Sequence, residues 1–509
     1  MNRREFLRSS AATAGGLALS GGLWREALAA APAVPAAGPY GPLLAQDANG
    51  IRLPQGFTSR KIAHAGQPVA GTDYVYPVFP DGQATFATED GGFILVTNSE
   101  APEASGAGNG GASAIRFDRD GRITDAYRIL GNTTENCAGG KTPWGTWMSC
   151  EETKTGLVYE CDPFGVRSAV AHPAMGVFEH EAICVDPHLE QIYLSEDSGT
   201  GGLYRFTPER YPDCSAGLLE IAMVAEDGAV RWSPVPDPAA QQARTADQVE
   251  GATRFARGEG IWFDSGIVYL ATTGDDRIWA YNTGLETIEV LYDGKGLQNP
   301  PFQNVDNICM TSSGDLFVCE DPGNIGMGLI TPDRQAARFL EVTGVGQRVP
   351  PGLPEDIDNE ITGVIFDPSG TRMYFSAQRS FGTGVVYEVT GPFRRNRVDG
   401  AAPGVRIDAP APARLATVRR KGLRVTLHLG EDARLNVVLR ARLRGKTITL
   451  ARRRIPAAEV GETALRLRLS RVARQALRGR RSLSAVLEVS AVDAAGLRTA
   501  ASVPVRLTR

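Results

Sequence analysis

Cys137 stands in the phrase Asn136-Cys137-Ala138-Gly139-Gly140, and the chain then runs through Thr142-Pro143-Trp144-Gly145-Thr146-Trp147 to Cys150-Glu151-Glu152. A thiol in a glycine-rich loop close to carboxylates is a candidate metal ligand, because a thiolate holds transition ions that carboxylates alone hold less selectively. Further along, Glu181, Glu259, Asp306 and Glu360 each precede a short apolar run. If these four acids face one another they repel, and buried carboxylates stay charged only when cations neutralise them. Carboxylate and carbonyl oxygens suit Ca²⁺, whereas a cysteine beside them points to iron or another transition ion. Arg257 lies two residues before Glu259, on the same face of a strand. Its guanidinium is either a clamp for phosphate oxygens beside such a cluster or a salt-bridge partner for Glu259.

The elements that must position these residues recur between about Tyr40 and Pro392. An acid, a short apolar strand, a turn and a second strand return as Glu181-Ala-Ile-Cys-Val, Glu259-Gly-Ile-Trp-Phe, Asp306-Asn-Ile-Cys-Met and Glu360-Ile-Thr-Gly-Val-Ile-Phe. Period-two apolar patterning and a repeat of roughly 45 residues predict an all-β chain whose main body is a β-propeller of five or six blades. A sandwich or barrel is the alternative. In a propeller, equivalent places on successive blades converge on the central channel. Gly 58 and Pro 32 in a chain of 509 residues fit many short strands and turns.

From Val405 to Arg509 there are 24 Lys+Arg against 7 Asp+Glu, which leaves 30 basic and 51 acidic residues in the rest of the chain. That asymmetry predicts two domains. Residues 40–395 form the metal-binding propeller, 396–414 a linker, and 415–509 an Arg-rich, immunoglobulin-like β-sandwich. The acidic body disfavours nucleic acid, and the basic domain is suited to an anionic cell-envelope surface. No stretch is apolar enough for a stable membrane span. Arg3-Arg4 followed by Phe6-Leu7 and an Ala/Gly/Leu run, with Ala27-Leu28-Ala29, reads as a twin-arginine signal peptide over residues 1–29. The expectation is therefore a monomer exported to the periplasm, the cell wall or the medium.

Seven cysteines in an exported chain leave at least one unpaired. Hairpin register places Cys309 opposite Cys319 and Cys150 opposite Cys161, close enough for disulfides, with Cys184–Cys214 a third pairing and free buried thiols the alternative for all three. Cys137 is left over.

These phrases resemble the PhoX-type bacterial alkaline phosphatases over roughly residues 40–395. The resemblance is carried by Asn136-Cys137-Ala138, Thr142 through Glu152, His180-Glu181-Ala182, Arg257-Gly258-Glu259 and Val305-Asp306-Asn307. It implies phosphomonoester hydrolysis at an iron–calcium cluster in the mouth of the propeller. Cys137 would then be an iron ligand, and Glu152, Glu181, Glu259 and Asp306 cluster carboxylates, with Glu151 and Glu320 as further members. Arg257 matches the arginine that contacts the phosphate. The Arg-rich C-terminal domain lies outside the resemblance, and Asn98-Ser99-Glu100 lacks a histidine often found in that phrase. A calcium-dependent propeller lactonase, which gives Cys137 no role, and a non-catalytic binding propeller with calcium as a structural ion are the competing readings.

Overall fold

The computed structural model describes residues 31–508 apart from 103–109, 322–324, 344–358, 381–382, 396–403, 411, 431–432, 444–445, 459–460, 479 and 493–497. The predicted signal peptide and about half of the predicted linker (396–403 and 411) lie outside the described residues. No helix among those described is long and apolar enough to cross a membrane.

Six antiparallel sheets, numbered I to VI in chain order, make up the main body. Their first strands are Pro80–Ala87, Asn136–Lys141, His180–Asp186, Gly258–Asp264, Val305–Met310 and Ile361–Phe366. Later strands pair outward in chain order, as short hairpins dictate; Ser265-Gly266, with φ of 50° and 81°, is such a two-residue turn between Asp264 and Ile267. Each first strand packs on the next, and Ile361–Phe366 packs back on Pro80–Ala87, so the sheets form a closed, propeller-like ring. The ring is locked by an early strand: Thr58–His64 pairs with Val385–Thr390 as the outer strand of sheet VI. Closure removes free inner edges, and hydrophobic cores fill the spaces between neighbouring sheets.

Asn136–Lys141, read from its glycines as a loop, is the first strand of sheet II. Its glycines follow from crowding: a β-carbon on Gly139 would lie 2.0 Å from the Met148 carbonyl oxygen, and one on Gly140 2.1 Å from that of Ile183.

The expected disulfides are absent from the described residues; all seven cysteines are buried and unbonded. Cys309 faces Phe317 rather than Cys319, because the hairpin centres on Ser313 and not on Gly314, and one residue of error in a turn centre shifts every partner by two. Cys150 likewise faces Val158, and Cys161 faces Trp147. Cys184 and Cys214 belong to different hydrophobic cores. Cys137 is thus set apart by its place in the ring and not by the lack of a partner.

After the ring come two further sheets that share one core. The first holds Val405–Asp408, Leu423–Leu429 and Gly461–Leu467, so part of the predicted linker is a paired strand. The second holds Ala433–Leu443, Lys446–Ala458, Leu483–Val492 and Arg498–Thr508, with Ala413–Arg414 at one edge. Alternate residues are buried along Leu423–Leu429 and Leu483–Val492, the pattern of strands with one solvated face.

Candidate metal centre

Each sheet enters the ring in the same way. The residue just before the first strand offers its carbonyl to the N–H of the residue just after the second strand. The bonds are Glu100 to Phe79, Glu152 to Glu135, Asp197 to Glu179, Thr273 to Arg257, Asp321 to Asn304 and Gln378 to Glu360, all between 2.8 and 3.1 Å. Phe79, Glu135, Arg257 and Asn304 adopt left-handed φ of 47° to 53° there, so the strained backbone of Arg257 is a device of the ring rather than a peculiarity of one side chain.

Two residues further on, each first strand slips register against the second. Such a bulge re-aims the side chain it carries. The residues in that place are Asp81, Cys137, Glu181, Glu259, Asp306 and, in sheet VI, Thr362, where the slip falls one residue later. The neighbour inside the bulge must be small where strands crowd: a β-carbon on Gly82 would lie 2.5 Å from Ala138 Cα, and one on Gly260 2.7 Å from Asn307 Cα.

Five side chains with metal-ligand chemistry therefore project from equivalent places, and the second-strand ends add Glu100, Glu152, Asp197 and Asp321. Seven of these nine gather in three overlapping groups, while Asp197 and Asp321 pair with Arg257. Asp81, Glu100 and Cys137 form one, Cys137, Glu152 and Glu181 the next, and Glu181, Glu259 and Asp306 the third. Within each group the ligand atoms lie within 4.8 Å of one another, and the shared Cys137 and Glu181 make the arrangement continuous.

The electrostatics of this cluster are unfavourable for a bare protein. Burial, and then repulsion from neighbouring acids, pushes the carboxyls of Glu152, Glu181, Glu259 and Asp306 far above their ordinary range. Asp81 is pushed up to about 8 by burial and by Glu100. Burial also raises the Cys137 thiol, with Asp81 and Glu181 adding to the effect. Asp81 Oδ1, Glu181 Oε2 and Glu259 Oε1 are buried without a hydrogen bond; Glu259 Oε1 is 3.0 Å from Arg257 Nη2 but out of alignment. Unsatisfied buried oxygens beside a thiol form a donor set that fits hard cations together with one thiophilic transition ion.

Arg257 stands at the rim with its side chain 40% exposed. Its Nε and Nη2 donate to Asp197 at 3.1 and 2.8 Å, and Nη1 donates to Asp321 at 2.8 Å. Burial alone would lower its pKa, but Glu259, Asp197 and Asp321 more than offset that and raise it. Three of its five N–H donors are thereby used, leaving two for a ligand.

The other predicted residues divide. Glu152, Glu181, Glu259 and Asp306 meet as described. Glu151 turns away: its carboxylate accepts from the backbone N–H groups of Thr134 and Leu157. Glu320 is also outside the groups, fully buried against Arg338 and the Gln303 N–H. Glu360, predicted to share the place of Glu181, instead occupies the place of Arg257 and pairs with Arg379. His180 Nε2 donates to the Gly176 carbonyl at 3.0 Å, and its ring packs on Phe178, so it props the strand that carries Glu181. Asp81, Glu100, Asp197 and Asp321 were not singled out from sequence. Their signals were there: Asp81-Gly82 repeats the acid-then-small pair of Glu181-Ala182, and Glu100 closes its strand as Asp197 and Asp321 close theirs.

Asn307 forms the floor of the mouth. It donates to Asp306 Oδ1 at 2.9 Å and accepts from the Gly363 N–H at 2.6 Å. Beyond it a cavity of about 560 Å³, walled largely by Ile183, Ile261, Ile308 and Val364, continues along the axis.

A ring of antiparallel sheets with a buried carboxylate–thiol mouth defines a class of proteins, and comparison with known proteins assigns the family. The chain belongs to the family of alkaline phosphatase PhoX, a family of phosphomonoesterases, whose model matches residues 109–158 and 153–380. No curated protein matches it. Among solved structures, a gluconolactonase from Xanthomonas campestris is 12% identical with a TM-score of 0.40, covering 70% of this chain and 99% of the other. Regucalcin, a calcium-binding protein from Agrobacterium tumefaciens, is 14% identical with a TM-score of 0.38, covering 67% and 98%.

Proposed function

We propose that this chain is an exported, metal-dependent alkaline phosphatase that hydrolyses phosphate monoesters in the mouth of a six-bladed β-propeller. The observation that carries the reading is the run of three overlapping ligand groups, with one thiol, at equivalent places of the ring. On this reading Cys137 helps to hold iron together with Asp81, Glu100, Glu152 and Glu181, while Glu181, Glu259 and Asp306 suit calcium. When bound, such metals supply Lewis acidity toward a phosphoryl oxygen and neutralise charge that develops during transfer. The chain's own contribution is placement. Asp197 and Asp321 hold the Arg257 guanidinium in one plane, so its two remaining donors meet phosphate oxygens already oriented. Asn307 steadies Asp306 from below. Domain roles follow the sequence expectation: residues 1–29 direct export by the twin-arginine route, and the C-terminal pair of sheets is an immunoglobulin-like appendage.

The test is hydrolysis of p-nitrophenyl phosphate by protein produced with its export signal, with and without added calcium. The proposal expects turnover that a chelator abolishes and calcium restores. Metal-replete protein that turns over no phosphomonoester would overturn it.

A further inference from the structure

The C-terminal domain carries a second concentration of charge, of opposite sign. Its short helices Leu415–Lys421 and Arg471–Ala476 are anchored to the core by Leu415, Val418 and Ala473, and Leu477 just past the second helix is buried too. Residues three and four apart share a helix face. Arg471, Arg474 and Arg478 therefore form one outward row and Ala416, Arg419 and Arg420 another. The two rows, with Gln475, line one cavity of about 530 Å³.

Among the described residues none of these five arginines makes an ion pair or a side-chain hydrogen bond. That sets them apart from Arg205, Arg244, Arg257, Arg338, Arg379 and Arg394 in the ring, each of which is paired with a carboxylate. An arginine cannot relieve repulsion by losing its proton. Five unpartnered guanidinium groups around one concavity thus favour an anion that supplies several charges at once. Guanidinium planes match phosphate oxygens two at a time, which a carboxylate chain matches less fully per unit length.

We infer that this cavity binds a polyanion bearing phosphate groups in series. The site is separate from the metal mouth and does not depend on it. Charge complementarity identifies the occupant: several negative groups repeated along a chain can engage both helices together, whereas a single phosphate engages few of the five arginines.

The probe is end-labelled inorganic polyphosphate, titrated with the full chain while anisotropy is read at two ionic strengths. A pocket variant carries Arg471→Gln, Arg474→Gln and Arg478→Gln. A control carries Arg452→Gln, Arg453→Gln and Arg454→Gln on the exposed strand Lys446–Ala458, removing the same charge elsewhere in the domain. The pocket variant should weaken binding at least about tenfold and reduce its salt dependence, and the control less than about threefold. Hydrolysis of p-nitrophenyl phosphate should be unchanged in both. Equal weakening by the two variants would show diffuse charge and overturn the inference. Polyglutamate of the same charge binding as tightly would overturn the assignment to phosphate. Capture by phosphatidylglycerol vesicles with no polyphosphate binding would give the cavity to a lipid surface and overturn it too.

Discussion

The mouth of the ring and the arginine cavity of the C-terminal domain both crowd like charges, and they differ in how the crowding is relieved. In the mouth the groups are buried and acidic, so each can take up a proton or share a cation. In the cavity they are cationic and lie at the surface, where water screens them and only an anion can neutralise them. Burial thus makes the mouth the stronger binding site for its ion, since a carboxylate shielded from water gains most when a cation arrives. The exposed cavity instead gains by multiplicity, many weak contacts made together.

The largest expected effect is at the acid shared by two of the groups. Glu181→Gln should lower phosphomonoesterase turnover at least about a hundredfold and reduce bound metal, because a second donor cannot replace it in both groups. Turnover and metal content like wild type would separate Glu181 from the site. Next, Arg257→Lys should keep the metals but cost about 2–4 kcal/mol of transition-state stabilisation, read as a fall in kcat/KM, since an ammonium cannot present two parallel donors. A parallel loss of metal would show that Arg257 serves mainly to pair with Asp197 and Asp321.

A third effect is on stability against pH. The carboxyls of Asp81 and Asp321 are held at about 8, Asp81 by burial and Glu100, Asp321 by burial and Glu360. Unfolded, they titrate near the ordinary carboxylate range. Between about pH 4 and pH 8 the folded, metal-free protein therefore holds more protons than the unfolded chain, and its stability falls as pH rises. Thermal melts of metal-free protein should show Tm decreasing over that window, and added calcium should flatten the trend. A metal-free Tm that rises with pH would contradict this picture of the mouth. The smallest effect marks the boundary of the site: Glu151→Gln should leave metal content unchanged and lower stability by about 1 kcal/mol, the worth of its bonds to Thr134 and Leu157.

Much of this arrangement is legible in the sequence because the ring repeats. Acid-then-small pairs before β-branched runs mark Glu181, Glu259 and Asp306, and the alternation after residue 405 marks the C-terminal strands. Legibility fails where a single residue of offset changes the meaning. Glu360 resembles Glu181 in its phrase, yet the bond from the Gln378 N–H puts it in the place of Arg257 and leaves Thr362, whose hydroxyl donates to the Pro80 carbonyl, in the place of Glu181. Cys309 and Cys319 miss each other because their hairpin turns at Ser313, one residue before the centre at Gly314 that would pair them. Glycines 139 and 140 suggest a loop when read alone, and they are required by the close approach of Met148 and Ile183, which only the fold reveals. The closing strand Thr58–His64 has no local signal for its partner, since that pairing spans the whole ring.

On the proposed function, the thiol and the carboxylates hold two kinds of metal. Inductively coupled plasma mass spectrometry on exported wild type and on Cys137→Ala, with circular dichroism to confirm that the β-sheets persist, addresses it directly. Iron and calcium are expected in the wild type, and calcium with little or no iron in the folded variant. Wild-type protein without iron, or a folded variant that retains it in full, would remove Cys137 as an iron ligand.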